Sequence, residues 1–157
     1  MARNETAIDA SPERIFAVLS DPECYPHWVV GAKDIRAADA DFPAPGTRFH
    51  HKVGFGPFEL RDHTEVLDAN PPYRLELRAK GRPLGTARVV LLVEPRGTGS
   101  HVVLIEDAGD PLTRLVFNPL THLLVRGRNV ESLRRLKALA ERPAGVSAEA
   151  AVAPGPA

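Results

Sequence analysis

An alternation of apolar and polar residues from Lys33 to Asp107 constrains the fold of this chain more than any other feature. A period of two is that of a β-strand with one covered face, and turns containing Gly and Pro interrupt the alternation at short intervals. Strands joined by short turns pair antiparallel, so the pattern predicts a meander of about six strands. By the same alternation, the inward side chains are Phe49, His51, Val53, Phe58, Leu60, Asp62, Thr64, Leu75, Leu77, Ala79, Ala87, Val89, Leu91, Val93, Val102, Leu104 and Glu106.

Helical patterns flank this region on both sides. Ser11-Pro12-Glu13 is typical of a helix start, with serine as the N-cap and proline in the first turn. A second short helix is predicted to hold Tyr25 and Trp28. After the strands, apolar residues at spacings of three and four predict one long helix from Leu120 to Glu141. The predicted inward residues of that helix are Leu123, Gly127, Val130, Leu133, Leu136 and Ala140.

The order of elements is therefore a strand, two short helices, a run of strands and one long helix. One long helix covering one face of an open, curved sheet is the α+β arrangement that fits this order. Such a sheet leaves room beneath the helix, which is a natural place for a small molecule. Residues 1–142 are predicted to form a single domain, and the Pro- and Ala-rich segment 143–157 is predicted to be a disordered tail.

Composition excludes several classes of function. The chain has 20 basic and 20 acidic residues, so it has no global attraction to nucleic acid or to an anionic membrane. The arginines of the long helix, Arg126, Arg128, Arg134 and Arg135, are interpreted as a solvated face. No run of ~18 apolar residues predicts a membrane span. The single Cys24, and a start without the apolar segment of a signal peptide, favour a cytoplasmic location.

Five segments carry a family resemblance: Ile8–Pro22, Tyr25–Trp28, Pro45–Phe49, Glu65–Pro72 and Leu133–Lys137. Together they resemble the SRPBCC, or START-like, superfamily, and within it the polyketide cyclase/dehydrase and lipid-transport type. The resemblance implies a helix-grip fold, in which a curved antiparallel sheet wraps around a long C-terminal helix and two short helices follow the first strand. It also implies an apolar cavity that binds a lipid, a polyketide or another hydrophobic molecule. The fold does not distinguish carriers from enzymes.

Three ionisable residues, His51, Asp62 and Glu106, are predicted to point toward the long helix. With residues 54–57 taken as a four-residue loop, His51 faces Leu60, and Asp62 lies one diagonal step away. A histidine beside a carboxylate can act as a general acid and base, the chemistry that enolises a ketone or eliminates water. The favoured alternative is a structural hydrogen-bond network or a role in orienting a ligand.

A register shift of one residue in this hairpin would instead turn His50 and His63 inward. Trp28 is interpreted either as a lid over a ligand or as core packing, and Phe55 either as a gate or as a residue folded onto the sheet. Gly127 either leaves room for a ligand or allows close packing. The predicted ligand-binding residues are Trp28, Phe49, His51, Phe55, Phe58, Leu60, Asp62, Leu77, Val89, Leu91, Leu104, Glu106, Leu123, Gly127 and Val130.

No metal ion or cofactor is predicted. His50 and His51 point to opposite faces of a strand, and the spacings of a zinc site or a phosphate loop are absent from the sequence. Cys24 is interpreted as an ordinary half-buried residue, because the sequence offers it no partner base. Val90 and Leu92, on the outer side of a strand, are either a homodimer contact or scattered surface residues.

The leading hypothesis is a protein that binds a small hydrophobic molecule between the sheet and the C-terminal helix. One alternative is a cyclase or dehydratase that uses His51 and a carboxylate in the same cavity. Another is a surface interaction module with an incidental cavity.

Overall fold

One antiparallel sheet organises the fold, which is seen here in a computed structural model. The structure describes residues 1–55, 58–80, 85–109 and 119–143, without the side chains of residues 53–60, 119 and 121. In these ranges seven strands pair in the order β1-β7-β6-β5-β4-β3-β2. They are β1 (Ala2–Ile8), β2 (Ala32–Ala38), β3 (Arg48–Phe55), β4 (Phe58–Asn70), β5 (Arg74–Lys80), β6 (Thr86–Arg96) and β7 (Gly99–Ala108).

Helices lie before and after the meander. Helix α1 (Pro12–Leu19) and the short α2 (Tyr25–Trp28) follow β1, with a 3-10 turn at Pro22–Cys24 between them, and α3 (Pro119–Ala140) ends the described fold. The Ser11 side chain accepts a hydrogen bond from the Arg14 backbone N–H at 3.2 Å, which confirms the predicted N-cap. The predicted α+β helix-grip architecture is confirmed. None of the helices in the described ranges combines the length and hydropathy that crossing a bilayer requires.

The hairpin between β3 and β4 is tighter than predicted. The strands extend to Phe55 and resume at Phe58, so two residues connect them instead of four. His51 is therefore directly opposite Asp62 and not opposite Leu60. A register change of two residues returns every side chain to its original face, so the predicted inward set of this hairpin keeps its orientation.

Of three successive rows of inward side chains across the sheet, the third has the smallest side chains. Read across the strands, one row is Leu75, Leu91 and Leu104, the next is Leu77, Val89 and Glu106, and the third is Thr64, Ala79, Ala87 and Ala108. We call the first the leucine row and the third the alanine row. The leucine row lies in the main core with residues of α1 and α3, whereas Ala79 and Ala87 are only half-buried.

The C-terminal half of α3 packs inward as predicted, and its N-terminal half does not. Leu133 and Leu136 are buried. Leu123 and Val130, however, are 67% and 58% exposed, and a Cβ at Gly127 would meet nothing within 4 Å. The prediction that these three residues face the sheet is wrong.

Polar residues take inward positions near the middle of the helix. Asn129 and Ser132 are buried, and the Ser132 hydroxyl accepts a hydrogen bond from the Val30 backbone N–H at 3.1 Å. Because this contact and the core leucines fix the rotation of α3, the neighbouring apolar side chains turn outward.

Two leucines of α3 test this rotation with the same substitution. Leu136→Ala removes a fully buried side chain and is expected to lower the free energy of unfolding by about 3 kcal/mol. Leu123→Ala, at an exposed position, is expected to change it by less than about 0.5 kcal/mol. Urea denaturation of both variants measures this, and equal losses would contradict the placement of the two faces.

Candidate functional site

A histidine lies on the concave face of the β3–β4 hairpin. His51 is 5% exposed, and its Nε2 lies 3.0 Å from the Thr64 hydroxyl oxygen. Its ring is 5.3 Å from that of Phe49, measured between centroids. Asp62, opposite His51 in the strand register, is also buried. The hairpin thus brings together a base, a carboxylate and a hydroxyl beside an aromatic ring.

Burial sets the protonation state of this histidine. Removal from water lowers the pKa of His51, and the Asp62 carboxylate acts in the opposite direction with a smaller effect. The imidazole is therefore neutral at pH 7. Its Nδ1 is buried and has no hydrogen-bond partner among the described residues. A neutral ring with such a nitrogen can form a hydrogen bond to a bound molecule or exchange a proton with it.

The lowered pKa of His51 predicts a pH-dependent stability. In the unfolded chain a histidine is protonated below pH ~6.5, so as the pH falls the unfolded state binds more protons than the native state. Stability that is present above pH ~6.5 is therefore lost as the pH falls toward the native pKa. We expect His51→Gln to lose less unfolding free energy than the wild type between about pH 7.5 and 5.

Urea denaturation at a series of pH values checks this difference. His27→Gln, at an exposed histidine of α2, is the control and should lose as much stability as the wild type. Parallel pH curves for the wild type and His51→Gln would show that burial does not suppress protonation of this ring.

An ion pair between a buried glutamate and a partly exposed arginine connects the other side of the sheet to α3. Glu106 lies on β7 between Val89 of β6 and Ala2 of β1, and it is buried. Arg128 Nη2 donates to its two carboxylate oxygens at 2.6 Å and 2.5 Å. The interpretation of Arg128 as part of a solvated helix face is therefore wrong, because its guanidinium turns inward to balance a buried charge.

Two asparagines, Asn4 and Asn129, lie next to this ion pair. Asn4 Nδ2 donates to the Arg126 carbonyl at 3.4 Å, and the Asn129 side-chain oxygen accepts from Arg128 at 3.5 Å. Three buried atoms next to these contacts, Asn4 Oδ1, Arg128 Nε and Asn129 Nδ2, have no hydrogen-bond partner among the described residues. Two donors and one acceptor therefore remain without a partner among the described residues at this junction.

Removing Arg128 tests the cost of the buried carboxylate. Arg128→Met leaves Glu106 buried without its cation, and we expect a loss of about 3 kcal/mol in unfolding free energy. Arg134→Met on the same helix removes a surface ion pair with Glu131 and should cost a small fraction of that. Glu106→Gln combined with Arg128→Met should recover most of the stability. Equal losses for the two single variants, measured by urea denaturation, would contradict a buried role for Arg128.

Apart from Leu123, Gly127 and Val130, which face outward on α3, the other predicted site residues divide into two groups. Trp28, Phe49, Leu77, Leu91 and Leu104 are buried in the main core, and Val89 is half-buried against it. The Trp28 ring lies 5.2 Å from that of Tyr25, in the position of a core residue. The side chains of Phe55, Phe58 and Leu60 lie outside the described residues.

Some residues of this region were not on the predicted site list. They are Asn4, Thr64, Ala79, Ala87, Ala108, Arg128 and Asn129. The alternation already turns Ala79 and Ala87 inward, and only their small size was overlooked. No pattern in the sequence connects Arg128 to Glu106, because the two residues belong to different elements.

Neither a thiolate nor a group of three metal-binding side chains is found among the described residues. Burial, with a smaller contribution from Asp21, raises the pKa of the Cys24 thiol to about 11, so the thiol stays protonated at neutral pH. Across the described residues, no three His, Cys, Asp or Glu side chains are grouped so that they could hold a metal ion.

A comparison of the sequence with protein families gives one match over most of the chain. The model for polyketide cyclase/dehydrase and lipid transport matches residues 2–141. The chain belongs to this family. Membership confirms the resemblance carried by the segments between Ile8 and Lys137, and it joins the chain to a family with a hydrophobic-ligand or polyketide-cyclase type of fold.

Similar solved structures support the same architecture. Protein CV1439 from Chromobacterium violaceum is 19% identical, with a TM-score of 0.69 over 90% of this chain and 97% of that one. The Aha1 dimer from Colwellia psychrerythraea is 17% identical, with a TM-score of 0.64 over 92% and 98%. Ara h 8.0201 is 10% identical, with a TM-score of 0.67 over 88% and 95%. At these identities the likeness concerns the fold alone, and no curated protein matches the sequence significantly.

Proposed function

We propose that this protein binds a small hydrophobic molecule on the concave face of its sheet, over the alanine row. The observation that carries the proposal is the decrease in side-chain size from the leucine row to the alanine row. Ala79, Ala87 and Ala108 occupy matching positions on three adjacent strands, where larger side chains would cover more of the concave face. Ala79, Ala87 and Val89 also remain half-exposed on the inward side, which supports access for a ligand.

Polar groups at the two ends of the row favour a particular class of ligand. Thr64, which contacts His51, lies on β4, and Ala108 lies three strands away on β7 beside the Glu106–Arg128 pair, about 14 Å along the sheet. His51 is neutral at pH 7, and Glu106 is already balanced by Arg128. These groups therefore favour an apolar molecule with hydroxyl or carbonyl groups over one with a further charge.

Filling the alanine row tests the proposal. Ala87→Leu places a larger side chain on the concave face, and we expect at least about tenfold weaker binding of the neutral dye Nile red, since its apolar contact area is lost. Ala7→Leu, at an exposed position of β1, is the matched control and should bind like the wild type. Fluorescence titration gives the affinities, and thermal unfolding verifies that both variants fold. Undiminished binding by Ala87→Leu would overturn the proposed site.

A second candidate function is acid–base catalysis on the bound molecule. The observation that favours it is the neutral, buried imidazole of His51 directly opposite Asp62. A base in this position can remove a proton next to a ketone carbonyl, the first step of enolisation.

Proton exchange measures this activity without a known substrate. In heavy water the protein should accelerate exchange of the methyl protons of acetophenone, followed by proton NMR. His51→Gln should lower the accelerated rate by about a hundredfold while Nile red still binds. His27→Gln should leave the rate unchanged. A wild-type rate equal to that of buffer would count against catalysis and leave the binding proposal intact.

A further inference from the structure

Two histidines face each other on the outer side of the sheet, away from the proposed ligand site. His50 on β3 is directly opposite His63 on β4, and their ring centroids are 5.8 Å apart. We call them the outer histidine pair. The rings are inclined at 52°, so they are not stacked on each other. Both side chains are half-buried, and on its other side His50 is next to the small Ala37 of β2. The hairpin therefore holds two imidazoles side by side at the surface.

Two imidazoles at this spacing can bind one transition-metal ion. Nitrogens that share an ion lie about 2.0 Å from it, which brings the two ring centroids to about 5 Å or slightly less. The rings of the outer histidine pair reach this distance by approaching roughly 1 Å, which small side-chain rotations provide at half-buried positions. Burial lowers the pKa of His63, and the charges of Lys80 and Arg48 lower it further. This ring is therefore neutral at pH 7, the form that binds a metal.

The charges around the pair are mainly positive. On the outer side of β3, β4 and β5, the row of the pair and the two rows beside it contain five described basic residues, which are Arg48, Lys52, Arg61, Arg78 and Lys80. Glu65 pairs with two of them at 3.4 Å and 3.8 Å, and Asp34 of β2 pairs with a third at 3.5 Å. Arg61 and Lys80 form no ion pair among the described residues. A net positive charge therefore remains beside the two rings.

This charge selects the form in which a metal ion binds. A bare dication is repelled by the basic side chains, whereas a metal ion held in an anionic chelate is attracted. The two imidazoles occupy two positions around the ion, and carboxylate or phosphate oxygens of the chelator take others. Imidazole nitrogens suit Cu²⁺, Ni²⁺ and Zn²⁺, and of these Cu²⁺ binds most tightly.

We propose that the outer histidine pair binds a divalent transition metal, Cu²⁺ above the others, together with a small anionic chelator that faces Arg61 and Lys80. The site takes up a metal ion with its anionic ligand and not a bare ion. It lies on the opposite face of the sheet from the proposed ligand site and does not depend on it.

Titration with Cu²⁺–nitrilotriacetate, a chelate with one net negative charge, tests the site. Electron paramagnetic resonance should show two imidazole nitrogens on the ion bound to the wild type. His50→Gln or His63→Gln alone should weaken binding at least about tenfold, because one imidazole then replaces a chelating pair. His101→Gln is the matched control and should bind like the wild type, because Ala7 and Glu94 lie across from this strand histidine.

Lys80→Gln separates the role of the surrounding charge from that of the two rings. It should weaken binding of the anionic chelate by at least about twofold and strengthen binding of free Cu²⁺, because it removes a positive charge near His63. Changes in the same direction for the two probes would contradict selection of an anionic chelate.

Other outcomes would overturn the proposal. A wild type that takes up no Cu²⁺–nitrilotriacetate, or single histidine variants that bind it as well as the wild type, would show an adventitious ion only. One imidazole nitrogen on the ion instead of two would contradict binding by the pair. The two proposals fail separately, because both histidine variants should still bind Nile red and Ala87→Leu should still bind the chelate. Thermal unfolding verifies that each variant folds.

Discussion

Burial of the C-terminal half of α3 against the core fixes how the rest of the chain is arranged. Leu133, Leu136 and Ala140 belong to the same buried cluster as the leucine row of the sheet. Glu141 accepts a hydrogen bond from the Asp9 backbone at 2.8 Å, and Lys137 donates to the Ala7 carbonyl at 2.9 Å, so the end of the helix is tied to the end of β1. Once this half is fixed, the direction in which every other residue of the helix points follows, because residues of an α-helix have fixed angular positions around its axis.

That rotation gives the two faces of the N-terminal half their different characters. Inward, Arg128 and Asn129 meet Glu106 and Asn4 in a polar junction beside the alanine row. Outward, the same turns of helix present leucines to the surroundings. An inward polar face is costly unless its groups are paired, and the Glu106–Arg128 bond supplies much of that pairing. The proposed ligand site thus lies on one side of a helical segment whose other side is apolar and exposed.

The inward and outward residues of the sheet were predicted correctly, because a two-residue error in turn length does not change which face a strand residue points to. The β3–β4 register was wrong by two residues, yet His51 and Asp62 kept their inward orientation and came directly opposite each other. The inward face of α3 was harder to predict, because interpreting a 3.6-residue pattern requires the assumption that apolar residues face the core. In α3 the buried Asn129 breaks that assumption, and only the contacts of Arg126 with Asn4 on β1 and of Arg128 with Glu106 on β7 reveal it. The ion pair of Glu106 could not be predicted for the same reason.

The central claim is that the concave face holds a small hydrophobic molecule, and native mass spectrometry of freshly purified protein tests it most directly. The account predicts an added mass in the native spectrum that disappears on denaturation. The fraction of protein that carries this mass should be lower in Ala87→Leu and unchanged in Ala7→Leu. The released molecule should be apolar, with hydroxyl or carbonyl groups. A native mass equal to the denatured mass, together with no uptake of Nile red, would contradict the account.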